Sequence, residues 1–157
     1  PLVDNGRLEG REQETILTDF LEDCSPLLAS RDLRISFECD LGPMEAARFI
    51  TRFDPLRFGI NYDIGNSAAL GFDPTEEIGI YGRRIINVHV KDRVLGGTTV
   101  PLGTGNADFE TVFASLLEAG YTGNYILQTA RAVDDDHAAT LCRYRDMTTN
   151  WLCGHAA

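Results

Sequence analysis

Basic side chains are scarce in this sequence of 157 residues, in which 14 Lys and Arg stand against 24 Asp and Glu and the net charge is -10 at pH 7. Such a surplus of negative charge repels the phosphates of nucleic acids and of anionic membrane surfaces. Apolar runs long enough to span a bilayer are also missing. Nucleic acid and membrane are therefore excluded as expected partners, and a small molecule remains as the expected ligand.

Cysteine pairs with the spacing of a redox or zinc motif are missing too. Cys24, Cys39, Cys142 and Cys153 are scattered, at a density far below that of a disulfide scaffold. We therefore expect buried free thiols and a reducing compartment, the cytoplasm. The sequence also opens without Met or a signal peptide. Because residues 1–5 are typical of the end of a strand running into a loop, we expect the chain to be part of a longer protein.

Four short apolar runs have the length and the β-branched or aromatic content of strands. They cover residues 33–37, 58–62, 85–88 and 125–127. Each run ends at a side chain that can hold a metal or move a proton, in the order Glu38, Asp63, His89 and Gln128. Because helices are predicted between the runs, the strands should be parallel, with their carboxyl ends on one side of the sheet. The four side chains are therefore predicted to converge.

Helical periodicity and capping residues place helices between and after these runs. The first covers about residues 12–29, with a core-facing stripe expected at Ile16, Phe20, Leu21, Cys24, Leu27 and Leu28. The others are predicted from Pro43 to the break at Asp54-Pro55, from the cap Asp73 to Gly82, from the cap Asp108 to Gly120, and from near the acidic run 134–136 through Leu152. No low-complexity linker divides the chain, so it is predicted to be one domain or a part of one.

Alternation along the strands predicts one polar and one apolar face. The polar side carries the terminal residues of the runs and the residues two positions before them, including Ser36, Asn61 and Asn87. An open sheet covered by helices on both sides would be apolar on both. A (β/α)8 TIM barrel fits better, because its helices lie outside and its active site lies at the carboxyl ends of the strands. Such a barrel has about 250 residues, so residues 1–157 are predicted to form about half of one barrel domain.

The side chains at the strand ends suit metal binding. Carboxylate, imidazole and carboxamide groups together fit a hard or borderline divalent cation such as Mn²⁺, Mg²⁺, Co²⁺ or Zn²⁺. Such an ion polarises a carbonyl or hydroxyl group, and the neighbouring C–H becomes acidic enough for a carboxylate to remove its proton. A lone histidine at a strand end is more often structural, but four potential ligands at four successive ends favour a site.

Several motifs in the chain resemble those of one family: residues 61–67 (NYDIGNS), 87–93 (NVHVKDR), 100–105 (VPLGTG) with Asp108-Phe109, and 120–123 (GYTG). In order and spacing they are similar to the xylose isomerase-like barrel family of sugar phosphate isomerases and epimerases. The resemblance implies the C-terminal half of a (β/α)8 barrel, from the end of the fourth strand through the eighth helix. It also implies a divalent metal held by Glu38, Asp63 and His89, with Gln128 in the position of a fourth ligand.

Gln128 departs from the epimerase pattern, which has Glu there and uses two glutamates as paired acid and base. A carboxamide oxygen can ligate a metal but does not accept a proton at neutral pH. Isomerisation through an enediol, or β-elimination, needs only one carboxylate on one face of the substrate, and Glu38 would be that base. Lys91 or Asp92 could supply a compensating acid, or both could form surface salt bridges.

Two further side chains are candidates for substrate binding. Asn66, three residues after Asp63, could hydrogen-bond substrate or cap a turn. Arg131, three residues after Gln128, could bind a phosphate or carboxylate through its guanidinium group, or pair with the acidic run 134–136. The backbone amides of residues 103–106 could likewise receive a phosphate, or form an ordinary turn.

Together these features predict a divalent-metal-dependent isomerase or epimerase that acts on a sugar or sugar phosphate through an enediolate. Two alternatives stay open. One is a lyase of the inosose dehydratase kind, which would share the metal and the base but expel water. The other is a non-catalytic carbohydrate-binding barrel, suggested by Gln128. If the chain occurs alone, its open strand edges predict a homodimer of half-barrels.

Overall fold

The computed structural model describes residues 1–3 and 6–155. The strands are β1 (Ile35–Phe37), β2 (Phe58–Asp63), β3 (Ile85–Val90), β4 (Asp92–Arg93), β5 (Thr99–Val100) and β6 (Asn124–Leu127). The helices are α1 (Arg11–Ser30), α2 (Pro43–Ile50), α3 (Ile64–Leu70), α4 (Pro74–Tyr81), α5 (Phe109–Glu118) and α6 (His137–His155).

The main sheet has four parallel strands in the order β1-β2-β3-β6. These are the four runs predicted as strands, and helices lie between them in the chain. Parallel pairing aligns the carboxyl ends, and the register places Asp63 beside His89. The architecture of strand, helix and strand is therefore that of consecutive units of a parallel α/β barrel.

The first residues of the chain add to this sheet. Leu2 forms a parallel bridge with Cys39, and its backbone N–H donates to the carbonyl of Glu38 at 2.6 Å. This pairing confirms that residues 1–3 have the position of a strand end next to β1. Asp4 and Asn5, which were expected to continue into a loop, lie outside the described residues.

The helix boundaries follow the predicted signals closely. Asp73 and Asp108 cap α4 and α5 by accepting hydrogen bonds from backbone N–H groups of the first turn. The second helix, α2, ends at Ile50, before the predicted break at Asp54-Pro55. Two elements were not predicted: the seven-residue helix α3, which begins directly after Asp63, and the antiparallel pair of β4 and β5.

The stripe predicted to face the core from α1 is partly wrong. Leu21 and Leu28 are buried, but three other members are more than half exposed: Ile16, Phe20 and Leu27. The helix instead buries Glu14, which accepts hydrogen bonds from Arg48 and Arg52 at 2.7 to 2.9 Å. The side of α1 that faces the protein therefore includes an ion-pair cluster, which a count of apolar residues does not reveal.

Aromatic side chains fill the space between the sheet and its helices. Phe37, Phe49, Phe53 and Phe58 contact one another with ring centroids 5.0 to 6.1 Å apart. On the outer face of the central strands Tyr62 and Val88 are buried, as the alternation predicts. This apolar layer holds β1 and β2 in place from one side and leaves the other side to polar residues.

The cysteines agree only in part with prediction. All four are free, but Cys142 and Cys153 are exposed, because α6 presents them to solvent. Cys24 and Cys39 are partly buried. Within residues 1–3 and 6–155, no helix combines the length and the apolar character needed to cross a bilayer.

Candidate metal centre

Three of the four predicted ligands meet at the carboxyl ends of adjacent strands. One possible ligand atom from each of Glu38, Asp63 and His89 lies within 4.8 Å of the others. The Nδ1 atom of His89 is 3.7 Å from Glu38 Oε2 and 3.6 Å from Asp63 Oδ2. Among the described residues, no other group of three His, Cys, Asp or Glu side chains has this geometry.

The chemistry of this cluster fits a divalent cation. Two carboxylates beside one imidazole form the mixed oxygen and nitrogen set that Mg²⁺, Mn²⁺, Co²⁺ and Zn²⁺ accept. The side chain of Asp63 is 1% exposed, and those of Glu38 and His89 are 17% and 20% exposed. Two carboxylates held this close in a largely buried position repel each other unless a cation lies between them. Cys39, which follows Glu38, is not part of this cluster, and burial raises the pKa of its thiol to about 11.

The two carboxylate oxygens of Asp63 have different roles, one in capping a helix and one in the metal centre. Its Oδ1 accepts a hydrogen bond from the backbone N–H of Asn66 at 2.8 Å and caps α3. Its Oδ2 faces His89 and is 3.4 Å from Lys91 Nζ. One oxygen of this carboxylate is therefore left for a ligand while the other fixes its orientation.

Asn61 is part of the centre but was not predicted as a site residue. Its Nδ2 atom donates to Glu38 Oε2 at 3.2 Å and lies 3.1 Å from His89 Nδ1. Its Oδ1 atom accepts a hydrogen bond from Asn87 Nδ2 at 2.6 Å. The alternation that places both asparagines two residues before a predicted ligand was the signal that could have identified them.

Asn66 and Lys91 both lie against the predicted ligands. Asn66 Nδ2 donates to Glu38 Oε1 at 2.8 Å, and its Oδ1 accepts from Lys91 Nζ at 3.1 Å. The turn at this position is capped by Asp63, so the alternative that Asn66 is the cap is wrong. The alternative of a surface salt bridge for Lys91 is also wrong, because its side chain is only 14% exposed and is paired with Asp63.

Arg93 is a second cation that the sequence interpretation missed. Its Nη1 donates to Asn66 Oδ1 at 2.8 Å, and its Nε donates to the carbonyl of Gly97 at 3.0 Å. Arg93 therefore orients Asn66, which in turn binds Glu38. Its position depends on the β4–β5 pair, which has no periodic signal in the sequence.

Asp92 stabilises a loop, and neither expectation for it fits. The residue is 0% exposed, and its two carboxylate oxygens accept hydrogen bonds from the backbone N–H groups of Gly103, Gly105 and Ala107 at 2.8 to 3.1 Å. These amides are consequently occupied, so the phosphate site considered for residues 103–106 is not formed. A Cβ atom at Gly105 would clash with the Asp92 carboxylate, which explains glycine there.

Gln128 and Arg131 lie farther along the chain. Gln128 directly follows β6 and is exposed, and its backbone N–H donates to the carbonyl of Val90 at 3.1 Å. Alternation puts it on the same face as Ile126, which pairs with His89. Its role as a fourth ligand stays a prediction.

Arg131 is exposed and lines a cavity of about 150 Å³ with residues of α6 and the preceding loop. Within the described ranges it forms none of the ion pairs, so its predicted pairing with residues 134–136 is not observed. That acidic run instead stabilises the start of α6, where Asp136 accepts from the N–H of Ala139 at 3.0 Å. Substrate binding by Arg131 stays a prediction.

A parallel α/β sheet with a polar cluster at the carboxyl ends of its strands is the arrangement found in proteins of the TIM-barrel class. Residues 4–143 match the model of the xylose isomerase-like TIM barrel family. The chain therefore belongs to this family, and the predicted family and fold class are confirmed.

Individual relatives agree with this assignment. The chain is 37% identical over 90 residues to L-ribulose-5-phosphate 3-epimerase UlaE of Salmonella paratyphi C (strain RKS4594), a match that covers 57% of this chain and 32% of that protein. The crystal structure of a xylose isomerase domain protein from Planctomyces limnophilus superposes with a TM-score of 0.81 at 20% identity, over 95% of this chain and 57% of that one.

A xylose isomerase-like TIM barrel protein from Mycobacterium smegmatis, crystallised in complex with magnesium, superposes with a TM-score of 0.69 at 17% identity. This superposition covers 99% of this chain and 55% of that one. The chain thus spans little more than half of the solved barrels, and its match to the curated relative spans about a third of that protein.

Proposed function

We propose that the protein is a divalent-metal-dependent isomerase or epimerase that acts on a sugar or sugar phosphate. The observation that carries the proposal is the convergence of Glu38, Asp63 and His89 at the carboxyl ends of three adjacent strands. The relative named as an L-ribulose-5-phosphate 3-epimerase supports the substrate class. We propose further that residues 1–157 form about half of one barrel domain, so the activity belongs to the complete barrel.

Glu38, Asp63 and His89 would hold the metal, with the carboxamide oxygen of Gln128 as a fourth ligand. The neighbour crystallised in complex with magnesium supports a divalent ion as the cofactor, and Mn²⁺, Co²⁺ and Zn²⁺ suit the same ligands. A bound cation would polarise the carbonyl group of the substrate and lower the pKa of the adjacent C–H. The chain's own side chains would perform the proton transfer.

Glu38 is the proposed base. Asn66 holds its Oε1 atom and Asn61 holds its Oε2 atom, so the carboxylate has a fixed orientation before substrate arrives. Removal of a proton from the carbon next to the carbonyl would give an enediolate. Lys91, which is close to both Asp63 and Asn66, is proposed to donate a proton to the former carbonyl oxygen and to take one from the neighbouring hydroxyl group, while protonated Glu38 delivers its proton to the adjacent carbon.

Gln128 favours isomerisation over epimerisation. Inversion at one carbon requires a base on one face and an acid on the other, whereas proton transfer between neighbouring atoms of an enediol uses one face. Because a carboxamide is neither an effective acid nor an effective base at neutral pH, Gln128 supplies no second acid. The same residue keeps a non-catalytic carbohydrate-binding barrel as a second candidate.

The test uses the full-length protein with Mn²⁺ and a panel of pentose and hexose ketoses, aldoses and their phosphates in D₂O. The proposal predicts deuterium at the carbon next to the carbonyl, read by NMR, and conservation of substrate mass apart from that exchange. The variant Glu38→Gln should abolish the exchange, while Glu45→Gln on α2 should not.

Loss of water from a substrate would identify a lyase instead. Binding of Mn²⁺ and sugar without exchange, unchanged in Gln128→Glu, would support the non-catalytic candidate and contradict the proposal. A wild-type protein that binds no divalent ion would contradict the proposed centre itself.

Three further properties are proposed. A cytoplasmic location is consistent with the free cysteines. A small-molecule partner, without nucleic acid or membrane, is consistent with the net charge of -10. A homodimer of half-barrels is proposed only if the chain occurs alone, and sedimentation velocity would test it.

A further inference from the structure

We propose that Glu77 is a positioning residue of the metal centre, which it stabilises through Tyr62 and Ser67. The inference rests on the proposed metal site. Glu77 lies on α4, outside the cluster of predicted ligands, and it is 3% exposed. It belongs to no motif that the sequence interpretation used.

Three hydroxyl groups surround the Glu77 carboxylate. Tyr62 donates to Oε2 at 3.0 Å, Ser67 donates to the same oxygen, and Tyr81 donates to Oε1 at 2.8 Å. The hydroxyl groups of Tyr62 and Ser67 also lie 3.3 Å from each other. Glu77 is therefore the common acceptor of a buried network that joins α4 to β2 and α3.

Two of these donors are direct chain neighbours of residues in the centre. Tyr62 precedes Asp63, and Ser67 follows Asn66. On the inner side of the same junction, Asp63 Oδ1 accepts the hydrogen bond from the N–H of Asn66. The β2–α3 junction is thus held on its inner side by Asp63 and on its outer side by Glu77.

Residues of the Glu77 network and of the metal centre line the same small space. A space of about 20 Å³, enough for one water molecule, is lined by Glu77 and Ser67 and also by Asn61, Asp63 and Asn66. Movement of the hydroxyl groups would therefore reach the metal-facing side chains directly.

A carboxylate is costly at this position. In the described part of the chain its partners are hydroxyl groups rather than cations, and burial raises the pKa of Glu77. An apolar side chain would avoid that cost but would leave three buried hydroxyl groups without their acceptor. Because a carboxylate can accept several hydrogen bonds at once, it fixes Tyr62 and Ser67 together.

The test compares Glu77→Gln with Glu76→Gln, an exposed neighbour on the same helix, in the full-length protein. Gln at 77 presents one acceptor oxygen and an amide group that cannot accept, so the junction should loosen. We expect the Kd for Mn²⁺, measured by titration calorimetry, to rise about tenfold, as for outer-shell partners of metal ligands. Hydrogen exchange at the Asn66 amide, measured without metal, should accelerate. Glu76→Gln should change neither quantity.

A second pair of variants separates positioning from stability. Ser67→Ala removes a link to the junction and should raise the Kd for Mn²⁺ even if Glu77→Gln does not fold. Tyr81→Phe removes a hydroxyl group whose hydrogen bond to Glu77 joins two residues of α4. This variant should therefore lower the melting temperature without changing the Kd for Mn²⁺.

The proposal is overturned if Glu77→Gln and Ser67→Ala behave like Tyr81→Phe, losing stability but keeping Mn²⁺ affinity. If the wild-type protein binds no Mn²⁺, the metal centre of the proposed function fails and this inference fails with it. The exchange rate at Asn66 then shows separately whether Glu77 orders the junction.

Discussion

Two buried aspartates, Asp63 at the end of β2 and Asp92 two residues after β3, have opposite roles. Both are nearly inaccessible, at 5% and 0% exposure. Asp92 accepts backbone hydrogen bonds from three residues of one loop with its two oxygens. Asp63 accepts one backbone hydrogen bond, on Oδ1, and its Oδ2 faces His89 and Lys91.

The difference shows how a metal-binding carboxylate can be recognised in a fold with many acidic residues. A carboxylate whose oxygens are all satisfied by backbone amides stabilises the chain and has no capacity left for an ion. A carboxylate held by one oxygen is oriented and still available. Glu38 lies between the two kinds: each of its oxygens accepts one hydrogen bond, and the donors are the side chains of Asn61 and Asn66 rather than backbone amides.

The largest expected effect is the loss of folding stability on substitution of Asp92. Asp92→Ala leaves the amides of Gly103, Gly105 and Ala107 without their acceptor, and we expect a loss of about 3 kcal/mol or more in the free energy of unfolding. Urea denaturation of the full-length protein measures it. Asp92→Asn, which keeps one acceptor oxygen, should lose less.

If Asp92 is only structural, the Kd for Mn²⁺ of the folded Asp92→Asn protein should stay within about twofold of wild type. A tenfold weaker affinity would show that this aspartate also belongs to the metal centre. The contrast with Asp63 would then be wrong.

Asp63→Asn should produce the complementary result. The carboxamide oxygen can still cap α3, but the charge paired with Lys91 is lost, so we expect the free energy of unfolding to fall by about 1 to 2 kcal/mol, less than for Asp92→Ala. The charge that faces His89 is lost, and we expect the Kd for Mn²⁺ to rise about 100-fold, which corresponds to about 2.7 kcal/mol. Calorimetric titration and urea denaturation separate the two quantities.

Asp73→Asn is the matched control for this substitution. Asp73 caps α4 as Asp63 caps α3, but it is exposed and belongs to no metal cluster among the described residues. Its substitution should leave Mn²⁺ affinity unchanged. Equal effects of the two substitutions on affinity would mean that Asp63 acts only as a helix cap.

The sequence predicted the strands and the convergence of Glu38, Asp63 and His89 for local reasons. Short apolar runs specify buried parallel strands, and parallel strands align their ends. The hydrogen bonds of Asp92 and Arg93 were not predictable in this way. Asp92 meets amides 11, 13 and 15 residues later, in a loop without periodicity. Arg93 reaches back 27 residues to Asn66.

Helix α3 was missed for a related reason. Its seven residues are too few for an apolar period, and five of them are buried, so no polar face marks it as a helix. Its start depends on the cap formed by Asp63. Asp63, which was predicted only as a metal ligand, is therefore also the residue that caps the start of this helix.

The smallest expected effect concerns Glu14, a buried carboxylate with cations as partners. Hydrogen bonds from the Arg48 guanidinium, followed by those from Arg52, lower the pKa of Glu14 below its usual value of 4.5, although burial opposes the shift. Because the folded-state pKa is depressed, the ion pairs contribute stability above the unfolded-state pKa and lose it as the pH falls through the folded-state pKa. Glu14→Gln should therefore cost about 1 kcal/mol at pH 7, a modest value because Arg48 is 56% exposed.

The pH dependence tests whether the charge of Glu14 accounts for this contribution to stability. Urea denaturation of wild type and Glu14→Gln in steps from pH 7 to pH 3 should show the difference shrinking below about pH 4.5. Glu12→Gln, an exposed substitution on the same helix, should show no such trend. A difference that stays constant over this range would mean that Glu14 stabilises α1 by packing rather than by charge.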